Sequence, residues 1–92
     1  MITRINEFQA ANGKSEELHS FLKSLGPYIT SSDGCVSFEV LRSVSAPSAF
    51  AVIERWTDIE SHKRSLERFP KEQMQAAMPL FGAPPKGSYY SA

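Results

Sequence analysis

The sequence predicts an α+β fold of the split βαβ, ferredoxin-like kind: an antiparallel sheet with helices on one face. Three observations predict it. Two alternating segments, Cys35–Ser43 and Phe50–Thr57, flank a short turn and read as a hairpin. An amphipathic helical stripe precedes that hairpin, and another follows it. A strand-like segment stands at each end, so the order is β-α-β-β-α-(α)-β.

The first strand is Met1 to Gln9, where Ile2, Ile5 and Phe8 stand among polar residues until Asn12-Gly13 breaks the run. Leu18, Phe21, Leu22, Leu25 and Ile29 then form one apolar stripe at helical spacing, with Glu16, Glu17 and Lys23 off it. Pro27 has no backbone N–H, so a kink or a short 3₁₀ ending is expected at Gly26-Pro27. Ser31-Ser32-Asp33-Gly34 is a turn cluster leading into the second strand. There Val36, Phe38 and Val40 lie on one side and Cys35, Ser37, Glu39 and Leu41 on the other.

In the third strand Phe50, Val52, Glu54 and Trp56 share one face, and Ala51, Ile53 and Arg55 the other. Arg42 and Arg55 are expected opposite Trp56. Thr57-Asp58-Ile59-Glu60 has the form of a capping box, which starts a second helix whose face carries Ile59, His62, Lys63, Leu66 and Phe69. Pro70 suits the first turn of a shorter third helix with Met74, Ala77, Met78 and Phe81 on its stripe, and Pro79 stops it. The tail from Ala83 carries Pro84-Pro85 and Tyr89-Tyr90, which suggests a last strand at a sheet edge.

At 92 residues the chain is expected to be one domain, 1–92, with a thin core. A lone Cys35 closes no internal disulfide, and the two histidines, His19 and His62, lack zinc-ligand spacing; neither a metal nor a cofactor is expected. Ten basic residues balance ten acidic ones with no basic block, so neither nucleic acid nor an anionic membrane is an expected partner. No secretory signal or membrane-length apolar run appears, which makes the expected location cytoplasmic. Apolar residues on both faces of the middle strands require a cover for the second face, and a homodimer packed sheet against sheet supplies one.

Three stretches together resemble the antibiotic biosynthesis monooxygenase family: Gly13-Lys14-Ser15-Glu16-Glu17-Leu18, Gly34 through Arg42, and Phe50 through Asp58. The resemblance implies a dimeric α+β barrel with a pocket between sheet and helices in each protomer. It also implies one of several activities: cofactor-independent oxygenation of phenols, quinol oxidation, haem degradation, or isomerisation of a phosphorylated sugar. The haem-degrading branch would carry a His some nine or ten residues after the strand-three Trp, where this chain has Ser65 and Leu66. Asn6 resembles a functional Asn of that branch, and Trp56 matches the strand-three Trp.

Oxygenation without a cofactor requires a substrate that reduces O₂ once deprotonated, so the protein must take a proton, stabilise an anion and exclude water. The expected reaction is oxidation of a small quinol or phenolic metabolite by O₂. Trp56 offers an indole N–H and an aromatic wall, and it equally suits a plain core position. Asn6 is an amide able to orient a phenol or peroxo oxygen, and it equally suits an edge-strand solvent position or a satisfied core amide. His62 is the best general-base candidate, although a lone His on an apolar face also suits simple packing. Glu54 either lines the pocket or, as the favoured reading, pairs with Arg4 across the sheet. Phe38, Met74, Met78 and Phe81 are core residues first and substrate-lining candidates second. Two alternatives use the same pocket: an isomerase moving a proton on a small carbonyl or sugar-phosphate compound, and a dimeric module that binds a ligand without converting it.

Overall fold

The computed structural model describes all 92 residues. Strand β1 (Ile2–Gln9) is followed by helices α1 (Ser15–Ser24) and α2 (Gly26–Thr30), then by strands β2 (Cys35–Arg42) and β3 (Ala49–Trp56). Helices α3 (Ile59–Arg68) and α4 (Lys71–Ala77), a 3₁₀ turn at Met78–Leu80 and strand β4 (Lys86–Tyr90) complete the chain. The sheet order is β2-β3-β1-β4, with every neighbouring pair antiparallel, and the helices lie on one face. This is the ferredoxin-like α+β fold that the periodicities predict. No helix is long and apolar enough to cross a membrane.

The single stripe read from Leu18 to Ile29 is carried by two helices. Pro27 sits in the first turn of α2, where its missing N–H breaks no helical bond, and the axis is interrupted at Leu25. Leu18 and Leu22 are fully buried against Phe50, Val52 and Ala10. Each such leucine contributes roughly 1.5–3 kcal/mol of apolar burial. Phe38 and Phe81 pack around this cluster, and Phe81 also meets Phe8 with ring centroids 5.8 Å apart.

Two local expectations are corrected. The side chain of Asp58, not Thr57, caps α3 by accepting from the Ser61 N–H at 2.7 Å. The Thr57 N–H is held by the Gly34 carbonyl at 2.8 Å, so Thr57 stays tied to the end of the sheet and the helix begins one residue later. Arg42 lies on the helix side, because it pairs in register with the inward-facing Phe50. There it binds Glu16 of α1 at 2.7 Å and stacks over the Phe50 ring. A bulge at Val36 shifts the register so that Cys35 pairs with Trp56.

The other sheet face has no helix over it. Ile5, Ala51 and Ile53 are half-buried there and Leu41 is exposed, with Glu39 and Arg55 around them.

Candidate functional site

The inward face of β3 changes character along its length. Phe50 and Val52 enter the core, whereas Glu54 and Trp56 reach beyond it to the wall of a separate cavity of about 310 Å³. Leu25, Tyr28 and Ile29 form one side of that cavity; His62, Ser65, Leu66 and Phe69 form another, and Lys71 and Met74 stand at the α4 side. Seven of its eleven lining residues are hydrophobic, so the few polar groups present stand in a largely apolar wall.

Glu54 is the least expected of them. It is only 7 % exposed, and its Oε1 accepts the Trp56 indole N–H at 2.8 Å. Burial raises its pKa above the ordinary carboxylate value, while the Trp56 N–H and the Arg4 charge partly oppose the rise. His62 is buried beside it, with Nε2 at 3.8 Å from Glu54 Oε1 and its ring edge-on to Trp56. Burial, helped by the Arg4 charge, lowers the His62 pKa to about 4. The imidazole is therefore neutral at physiological pH, and its approach to Glu54 is not an ion pair. On its other side Nδ1 meets the Tyr89 hydroxyl at 2.6 Å.

Arg4 is opposite Glu54 in the β1–β3 register and opposite Tyr89 in the β1–β4 register. It forms no ion pair with Glu54; its guanidinium lies over the Tyr89 ring, 4.8 Å from the centroid, and its buried Nε has no hydrogen-bond partner. The favoured pairing of Glu54 with Arg4 is thus replaced by the Trp56 bond.

Of the residues singled out in sequence, the structure brings Trp56, His62 and Met74 to one cavity. Asn6 shares the helix-side face but stands opposite Val52 and Gly87, outside the cavity wall. Phe38 and Phe81 pack on the core cluster, and Met78 is 59 % exposed in the 3₁₀ turn. Tyr89 was not singled out in sequence. The inner surface of α3 carries Ser61, His62 and Ser65, a polar face on a buried side. The Ser65 carbonyl accepts the Tyr28 hydroxyl at 2.6 Å, and the Ser65 hydroxyl meets that of Ser32 at 2.9 Å.

The sequence matches the family model for antibiotic biosynthesis monooxygenases over residues 1–79. The chain belongs to that family. Solved structures similar to it include a Nitrosomonas europaea protein provisionally assigned as an antibiotic biosynthesis monooxygenase, at 17% identity and a TM-score of 0.89, covering 100% of this chain and 98% of that one. A Deinococcus radiodurans protein with the same provisional assignment is 21% identical with a TM-score of 0.87, over 100% and 92% of the two chains. SnoaB, a cofactor-independent oxygenase from Streptomyces nogalater, is 21% identical with a TM-score of 0.84, over 99% and 91%. Identities this low establish the shared fold. A search of curated proteins gives no match.

Proposed function

We propose that the protein is a cofactor-independent monooxygenase that oxidises a small phenol or quinol with O₂. The observation that carries this reading is Glu54, a buried carboxylate of raised pKa held by an indole N–H at the wall of an apolar cavity. Family membership and the likeness to a cofactor-independent oxygenase support it.

In this reading the aromatic substrate lies against Trp56, Tyr28 and Phe69, and its hydroxyl proton passes to Glu54. The phenolate is itself the reductant. It passes electrons to O₂; one oxygen atom replaces a ring C–H to give a second carbonyl, and the other leaves with two hydrogens as water. Neutral His62 and the Arg4 charge favour the anion formed when Glu54 takes the proton. The cavity volume suits one or two fused rings. Oxygen uptake by metal-free protein with a panel of naphthols and quinols tests the proposal: turnover that Glu54→Gln abolishes is expected, and no uptake across the panel overturns it.

A carboxylate base beside a neutral N–H donor also suits proton transfer next to a carbonyl, the isomerase alternative. Deuterium wash-in from solvent without oxygen consumption distinguishes it. The uncovered sheet face with Ile5, Leu41, Ala51 and Ile53 supports a homodimer packed sheet to sheet.

A further inference from the structure

We infer that Tyr89 is a positioning residue whose hydroxyl holds the His62 imidazole in its Nε2–H form and aims that N–H at Glu54 and the cavity. Strand β4, which carries Tyr89, lies beyond the residues 1–79 that match the family model. The site therefore takes a part from the end of the chain.

Two contacts, one on each side of the ring, give the same answer. At Nδ1 the partner is a phenol 2.6 Å away. A phenol O–H is a stronger donor than a neutral imidazole N–H, and an imidazole nitrogen is a stronger acceptor than a phenol oxygen. The proton thus belongs to Tyr89 and Nδ1 accepts. At Nε2 the neighbour is Glu54 Oε1, an oxygen already accepting from Trp56. A lone pair on Nε2 would face the lone pairs of that oxygen, whereas an N–H there is attracted to them. Neutrality completes the argument, since only a neutral ring has a tautomer to choose.

Tyr89 is itself held in place. Its ring stands edge-on to His62 at 81° and carries the Arg4 guanidinium over its face. Arg4 has room to lie there because residue 87 is glycine: a Cβ at that position would overlap the guanidinium. The groups that face His62 are thus Glu54 and Trp56 from β3 and Tyr89 from β4, with Arg4 of β1 behind Tyr89. The cation opposes protonation of the imidazole from that side.

The functional consequence rests on the oxygenase reading: the fixed N–H is ready to donate to the substrate oxygen as its proton moves to Glu54. The tautomer does not depend on that reading, which makes the two separable. Nitrogen-15 NMR of the imidazole ring in the full-length protein is expected to show Nε2 protonated and Nδ1 accepting for His62, with His19 as internal reference. Tyr89→Phe keeps the ring that Arg4 stacks on and removes only the hydroxyl, so a mixture of tautomers and about fivefold to tenfold weaker binding of 1-naphthol are expected. A wild-type spectrum with Nδ1 protonated overturns the inference even if the variant fails to fold. So does a folded Tyr89→Phe protein with an unchanged tautomer, whereas unchanged naphthol affinity removes only the functional consequence. A fixed Nε2–H tautomer without oxygen uptake would instead remove the oxygenase reading and leave the tautomer assignment standing.

Discussion

The Trp56 indole N–H donates to Glu54 Oε1 at 2.8 Å from two residues along the same face of β3, so one strand holds both the aromatic wall of the cavity and its carboxylate. Two neighbours on one strand face keep their relative position as long as the strand stays paired on both sides, as β3 does with β1 and β2. Glu54→Gln separates structure from chemistry, because the amide oxygen still accepts the indole N–H while the base is gone. Oxygen uptake is expected to fall by about 10²–10⁴-fold. The thermal midpoint is expected to hold or rise, since a buried ionisable group has been removed. Activity within threefold of wild type would exclude Glu54 as the base.

Trp56→Phe tests the other half of the pair. Losing the donor leaves a buried carboxylate oxygen without its partner, which costs about 1–3 kcal/mol, and the smaller ring adds a cavity penalty. The Trp56 N–H also holds the Glu54 pKa down, so a further rise is expected in the variant. Urea unfolding measures the first effect, and carboxyl carbon-13 NMR across a pH titration measures the second.

The fold was legible because its signals are local. Alternation gave β2 and β3, the Leu18/Leu22 stripe gave the first helix, and the prolines gave its break and the edge position of β4. Trp56 and His62 were legible as cavity-facing residues for the same reason, each lying on the inward face of its own element. The Glu54 environment was not. It depends on a competition between Arg4 and Trp56 for one carboxylate, and the outcome turns on Arg4 finding the Tyr89 ring across a strand pair more than eighty residues apart in sequence. The Asp58 cap and the inward Arg42 were missed through shifts of a single residue, which alternation and spacing tolerate but hydrogen bonding does not.

His62 makes the protein acid-sensitive in a defined window. Its pKa is about 4 when folded and 6.5 when unfolded, so between these values the unfolded chain binds a proton that the native state refuses. Stability therefore falls as pH drops from 6.5 to 4, by about 1–2 kcal/mol once partial solvent screening is allowed for. Glu54 has the opposite sign: its raised pKa removes stability as pH rises above 4.5. In His62→Gln the acid-side loss is expected to vanish and the Glu54 slope to remain, a change visible in denaturation midpoints measured from pH 4 to 7.

Gly34 and Gly13 both have positive φ, at 88° and 75°, but they differ in surroundings. A Cβ on Gly34 would overlap the Ser61 side chain in the first turn of α3, whereas nothing lies within 4 Å of one on Gly13. Gly13→Ala is expected to cost only the left-handed penalty, about 1–2 kcal/mol. Gly34→Ala adds the displacement of Ser61 and with it the start of the helix that carries His62. A lower melting midpoint for Gly34→Ala than for Gly13→Ala is the expected order, and equal midpoints would show that the helix start yields freely.

The proposed dimer has its own discriminating variant. Ile53 lies at the centre of the open sheet face, opposite Ile5 on β1 and Glu39 on β2, and points away from both the core and the cavity. Lysine in its place remains hydrated in a free protomer, so the fold is expected to survive. In a sheet-to-sheet dimer the same ammonium is taken out of water against its own symmetry mate, a penalty of about 3–5 kcal/mol for an unpaired buried charge. That corresponds to dimerisation weakened by roughly 150-fold to 5,000-fold. Size-exclusion chromatography with light scattering is expected to give a dimer for the wild type and a monomer for Ile53→Lys at micromolar concentration, with matching far-UV circular dichroism. A wild-type protein that runs as a monomer, or a variant that stays dimeric, rules out this face as the interface.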